Sequence, residues 1–372
     1  MEKGLTKMQS KIIYGIAILM MIYHHLFCLP ERLNNDYISI LNFNGINLEE
    51  RIAWFCKLCV ALYAFISGYG MYLSANKKKF EKVEDKLIYD IKFSIKHLIK
   101  FYFKFSIVFL IFIPLGYIFF NIDFNIKELI KNYLTISHSY NGEWWYIRAY
   151  IYMLILFPFL DVLMCKIKDK NSFKIKSILI ILPCLFIAII LKFNILDVTI
   201  KDFFNLHFMY ILCFIVGYLF SQFNIYGKIE NIIKKYKKMD LIISIISLLM
   251  LIYIRNKFAI HPRYNKLDFI IAPIFIYSIL TIIKYIDKKH IISKILIYFG
   301  NYNTFIWLTH TFYCYYYFQS IILKFKYSIF IYLITILISL ITSILLNYIC
   351  NWLYKIISDK SKKIINKFIF MH

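Results

Sequence analysis

The chain has 372 residues, of which 61% are hydrophobic and 20% aromatic, with only 10 glycines and 6 prolines and a net charge of +24. Its apolar residues come in long blocks separated by short lysine-rich stretches. Blocks of about 18 or more such residues suit helices crossing roughly 30 Å of hydrocarbon, and they are too long and too unalternating for barrel strands. A soluble domain is thereby excluded, and the charge reads as membrane topology rather than as a nucleic-acid surface.

The first block, 12–29, follows Lys3, Lys7 and Lys11 and has no small-residue cleavage site after it, so an uncleaved helix is expected. Near its far end stand His24 and His25, roughly 20 Å above the inner end at 1.5 Å per residue. Neighbours on a helix point about 100° apart, so only one of the two faces a given cavity. A histidine takes a proton from a hydroxyl and returns it to a leaving group at near-neutral pH. The alternative is an interfacial pair bonded to carbonyls. Residues 30–51, with Pro30, Asn34, Asn35, Asp36 and Gly45, read as the longest outside loop.

The second block, 52–74, carries Lys57 near its outer end and Ser67, Gly68 and Gly70 further in. Small residues let helices approach closely, so Ser67 reads either as packing or as a substrate contact. Lys57 either snorkels outward or faces a substrate. Cys56 and Cys59 form a CxxC with no second ligand pair, and no metal or redox site is expected there. The third block, 98–120, is entered through Lys96, His97, Lys100 and Lys104. Lys96 and Lys100 are four residues apart and share a helix face.

The fourth block, 144–164, opens with GEWWYIRAY at 142–150, which packs Glu143, Trp144, Trp145 and Arg148 into two turns. The tryptophans serve either as interface anchors or as flat faces for a sugar ring. Arg148 needs an acceptor, and Glu143 is the one at hand; otherwise Arg148 meets an anionic group or a polarised carbonyl. Blocks at 177–193, 204–221, 240–254 and 268–286 follow. In the ninth, 302–322, Asn303, Thr304 and His310 add polarity, with His310 expected near mid-membrane and either hydrogen-bonded to a neighbouring helix or touching substrate. The tenth block is 328–354.

With the N-terminus inside, the inner segments carry 29 of the 45 lysines and arginines and the outer segments 12. That split predicts an all-α, polytopic bundle of about ten spans, both termini cytoplasmic, in a multi-pass protein of the cell membrane. Residues 1–372 read as one domain, without internal repeat or linker. No GxSxG, P-loop, HExxH or GxGxxG occurs in a fitting context.

These residues also carry a resemblance. YGIAILMMIYHHLF resembles the first helix of the acyltransferase family 3 of membrane proteins, with Tyr14 at the family's basic position, Lys11 one turn away, and His25 at its histidine. FISGYGMYL, WWYIRAYIYMLILFPFL, YILCFIVGYLF and FGNYNTFIWLTHTF resemble later helices in order, covering about 10–350. The family's arginine-rich entry to the third helix is here Lys96, His97, Lys100 and Lys104.

The resemblance implies an O-acyltransferase with acetyl-CoA as cytoplasmic donor substrate, no permanently bound cofactor, and a sugar or surface-glycan hydroxyl on the outer side as acceptor. It implies donor phosphates on Lys96 and Lys100, with Lys92 and Lys104 beside them. It makes His25 the general base and His24 the substitute, Glu143 an orienting group, Arg148 a clamp on the thioester oxygen, and Trp144 or Trp145 a sugar platform. Partners beyond these are membrane lipid and no nucleic acid. Two other classes compete: a flippase or transporter of a lipid-linked sugar, which favours inverted repeats, and a non-catalytic member of the same fold in surface-polymer assembly.

Overall fold

The computed structural model describes residues 4–33, 37–43, 46–166, 207–233, 237–258 and 267–369. Helix α1 (Lys7–Phe27) starts at Thr6, whose hydroxyl accepts the Gln9 N–H at 3.2 Å while the Gln9 side chain accepts the Thr6 N–H at 2.8 Å. This reciprocal pair satisfies two of the donors that a helix start leaves open. The loop that follows holds a 3₁₀ turn (Pro30–Leu33) and a hairpin of two-residue strands, β1 (Asn42–Phe43) with β2 (Ile46–Asn47). Two backbone hydrogen bonds, Ile38 N–H to Lys326 and Ser328 N–H to Ile38, fasten this loop to the start of the last helix.

The second expected span is broken into α2 (Leu48–Cys56) and α3 (Cys59–Ala75), and Lys57 sits in the break. Helix α4 (Val83–Phe119) has 37 residues. At 1.5 Å each that is about 55 Å, well beyond the hydrocarbon thickness, so part of it projects beyond the hydrocarbon. A short helix, α5 (Ile126–Tyr133), and a 3₁₀ turn (Gly142–Trp144) lead into α6 (Trp145–Lys166). Then come α7 (Met209–Gln222), α8 (Ile225–Ile233), α9 (Lys237–Phe258), α10 (Asp268–Ile286) and α11 (Ile291–Thr311). A π-helical turn (Phe312–Tyr316), α12 (Gln319–Leu323) and α13 (Ser328–Ile369) close the chain.

Among the described residues, seven stretches are long and apolar enough to cross a membrane, or eight if α7 and α8, bent by 59°, form one span. The expected span at 177–193 lies outside the described residues. The ninth expected helix is shifted. It runs from Ile291 to Thr311 rather than over 302–322, because Asp287 accepts the Ile292 and Ser293 N–H groups at 3.2 and 2.7 Å and so starts the helix early. His310 therefore stands one residue before its C-terminal end rather than near its middle.

Lipid tails give no hydrophobic drive between helices, so close packing must supply the cohesion. Glycines provide it at two crossings. A Cβ on Gly15 would overlap the Leu296 carbonyl, and one on Gly300 the Lys11 carbonyl, so α1 and α11 touch backbone to backbone. The same pairing joins Gly68 of α3 to Phe214 of α7 and Gly217 to Phe65. Both pairs run parallel: His25 meets His310 at the far end of the first pair, ring centroids 5.1 Å apart.

Charges bury themselves only in company. Near the start of α4, Lys86 gives hydrogen bonds to Asp90 at 2.6 and 2.8 Å and also pairs with Asp161. Asp161 further accepts from Asn76 at 3.1 Å and from Tyr218 at 2.5 Å, which ties α3, α4, α6 and α7 together at one end of the bundle. Arg255 and Asp268, both fully buried, pair at 3.0 Å between α9 and α10.

Candidate active site

A cavity of about 400 Å³ opens between α1, α2, α3, α6, α7 and α11. Arg32, Leu29 and Cys28 line its outer mouth, then come His24 and His25, and Tyr14, Tyr63 and Ser67 line its depth. Tyr14 lies eleven residues before His25 on α1, so the wall descends about 16 Å into the membrane. Much of its lining is aromatic, with Trp54, Trp145, Tyr146, Tyr150, Tyr210 and Trp307.

The polar groups converge near the mouth. His24 gives its Nδ1–H to the Ala53 carbonyl at 2.8 Å, which leaves Nε2 as the basic nitrogen of the neutral ring. Glu143 is delivered by the 3₁₀ turn before α6. That turn is held from two directions: Asn141 donates to Thr311 Oγ1 at 2.7 Å, and Gly142 N–H donates to Tyr316 Oη at 2.7 Å. The Glu143 carboxylate accepts the Tyr315 hydroxyl proton at 2.8 Å. Its other oxygen stands 3.7 Å from His25 Nε2, and Arg32 lies 3.7 Å from the first. Tyr315 Oη is in turn 3.2 Å from His25 Nδ1. Since the phenol proton is given to Glu143, the imidazole Nδ1–H is the donor in that contact. In the neutral ring, Nε2 of His25 then carries the lone pair.

His310 backs this group. Its Nδ1 bonds the carbonyls of Trp307 and Ile306 at 2.8 and 3.1 Å, and its buried Nε2 has no partner. Among the described residues no group of three or more His, Cys, Asp or Glu side chains is placed to hold a metal ion.

The cavity thus gathers His24, His25, Lys57, Ser67, Glu143 and Trp145 from the residues singled out in the sequence, with His310 behind His25. Lys57 reaches over the Trp54 ring, its ammonium 5.8 Å from the centroid. Trp144 goes elsewhere. Its indole N–H donates to the Leu308 carbonyl at 3.1 Å, and its ring packs on Phe105 and Phe312 in a separate apolar cluster. Arg148 also points away. It donates to the Thr135 carbonyl at 2.6 and 3.0 Å and to that of Ile136 at 2.6 Å. Glu143 is therefore not its acceptor. The reason is local: α5 ends at Tyr133, Thr135 two residues on has a left-handed φ of 60°, and the carbonyls freed there face the guanidinium.

Lys96 and Lys100 lie on the exposed side of α4, away from the cavity, and His97 packs on Phe93 with centroids 4.5 Å apart. Two residues of the site went unremarked in the sequence. Arg32 follows His25 by two helical turns, and Tyr315 is hidden in the aromatic run FYCYYYF at 312–318.

No curated protein and no solved structure matches the chain. The family model described as an acyltransferase domain matches residues 13–352, nearly the whole length and all the cavity residues. With a histidine–carboxylate pair at the mouth of a membrane-embedded cavity, this chain belongs to the acyltransferase family 3 of membrane proteins.

Proposed function

We propose that the protein transfers an acetyl or related acyl group from cytoplasmic acyl-CoA to a hydroxyl of an extracytoplasmic sugar or surface glycan, in the cell membrane. The observation that carries this reading is His25 in the cavity wall with the Glu143 carboxylate 3.7 Å from its Nε2. The cavity reaches about 16 Å below that point, a length suited to the arm of a CoA thioester rising from the inner side. The exposed lysines of α4, Lys92, Lys96 and Lys100, suit the nucleotide phosphates there as point charges.

The chemistry follows from the placement. The acceptor oxygen attacks the thioester carbon as its proton passes to His25 Nε2. The new imidazolium faces the Glu143 carboxylate, which steadies it. The Lys57 ammonium, on the cavity wall, offsets charge on the thioester oxygen, the part first assigned to Arg148. The C–S bond then breaks, the CoA sulfur recovers the proton, and His25 is neutral again. Trp145 and Trp54 offer faces for a sugar ring near the mouth. Purified protein given radiolabelled acetyl-CoA and a surface-glycan extract should move label to glycan, with a mass gain of one acetyl group. Label that stays in acetyl-CoA with every hydroxyl acceptor tried would contradict the reading.

A further inference from the structure

The hydroxyl of Tyr315 touches both the proposed base and the carboxylate beside it, 3.2 Å from His25 Nδ1 and 2.8 Å from Glu143. We propose that Tyr315 is a positioning residue that fixes the productive tautomer of His25, accepting its Nδ1–H while donating its own proton to Glu143. The proposal rests on the reading of His25 as the base, and its test separates the two.

The backbone places it there by an unusual turn. Residues 312–316 are π-helical, and the Tyr317 N–H bonds the Phe312 carbonyl five residues back at 2.8 Å. In an α-helix, residue 315 would share a face with residue 311. The wider turn brings it round toward the face of His310 instead. Both rings then meet His25, with centroids 6.1 Å away for Tyr315 and 5.1 Å for His310. Such turns recur at functional sites because they re-aim a side chain that an unbroken helix would waste.

The chemistry explains why a phenol is needed. Glu143 accepts hydrogen bonds and cannot give one, so alone beside His25 it draws a proton to the nearer nitrogen, Nε2. That is the nitrogen that must be bare to act as base. Tyr315 reverses the preference. Its proton is committed to the carboxylate, so its oxygen presents only lone pairs to the imidazole, and Nδ1 keeps the hydrogen. Arg32 supports the arrangement from above, its guanidinium carbon 5.1 Å from the Tyr315 ring centre and its Nη1 3.7 Å from Glu143. The cation over the ring strengthens the phenol as a donor.

Tyr315→Phe removes one oxygen and leaves the ring contacts. The expected result is a fall in kcat of about 10²-fold or more, the scale of a base held in the wrong tautomer, with KM for acetyl-CoA changed by less than about twofold. Nitrogen NMR of ¹⁵N-histidine-labelled protein supplies a readout independent of turnover. The His25 signals, assigned by their loss in His25→Gln, should move from the Nδ1–H to the Nε2–H pattern in Tyr315→Phe. His24, tied to Ala53, should keep its Nδ1–H pattern and reports that the fold is intact. A His25 that stays in the Nδ1–H form without the phenol oxygen overturns the proposal. A tautomer that moves while His25→Ala retains full transfer supports the positioning and overturns the role of His25 as base.

Discussion

Replacing Glu143 by glutamine isolates the electrostatic part of the site. The amide keeps the shape, and with its oxygen still accepting the Tyr315 proton the charge is lost and an NH2 group replaces the oxygen that faces His25 Nε2. At 3.7 Å, an effective dielectric constant of about 20 gives an attraction of roughly 4 kcal/mol between the carboxylate and an imidazolium. Arg32, equally 3.7 Å from the carboxylate, already offsets part of that field. A net loss of about 1.4–3 kcal/mol in the transition state is a reasonable working figure, equivalent to roughly 10- to 10²-fold in kcat. Steady-state transfer of labelled acetyl to glycan by detergent-purified Glu143→Gln measures it. Binding of acetyl-CoA should be unchanged, because the charge acts on a species absent from the ground state. A variant that keeps more than half of the wild-type kcat would refute the argument, since the carboxylate would then be a structural tie for Tyr315 alone.

Lys86→Met should destabilise the protein by about 3–5 kcal/mol, because it leaves the carboxylates of Asp90 and Asp161 buried and facing one another; thermal unfolding in detergent checks it, and adding Asp161→Asn should recover much of the loss. Arg148→Ala should cost about 1–3 kcal/mol through its lost carbonyl bonds, yet leave kcat close to wild type, a combination that a role on the thioester oxygen forbids. Neutralising Lys96 and Lys100 together should raise KM for acetyl-CoA several-fold while kcat holds, and the gap to wild type should narrow as added salt screens the remaining charges; an unchanged KM removes these lysines from the donor site.

The helical, membrane-type fold was legible because hydrophobic blocks are written in composition, whereas Glu143, which the residues alone offered to Arg148, stands beside His25 instead. Which way a neighbour turns was not legible. Trp144 and Trp145 are adjacent, and the helix start sends one into an aromatic cluster and the other to the cavity. The pattern says that only one of the two faces inward, and only packing says which. Arg148 found its acceptors across a left-handed Thr135, a conformation that a β-branched residue does not advertise. The start of α11 was hidden because the apolar window favours 302–322, whereas Asp287 begins the helix eleven residues earlier. Tyr315 was masked twice, by five aromatic neighbours of similar propensity and by a π-turn that changes the face they occupy.

The central claim is that His25, rather than its neighbour, takes the acceptor's proton. Its most direct test compares His25→Ala and His24→Ala in sealed vesicles, with labelled acetyl-CoA on the face carrying the Lys79 loop and glycan on the face carrying Arg32. Loss of a positioned base costs about 10²–10⁴-fold, so His25→Ala should be nearly inactive at normal membrane abundance, while His24→Ala, which gives up a bond to the Ala53 carbonyl, should keep much of its rate. Near-normal transfer by well-inserted His25→Ala would contradict the account.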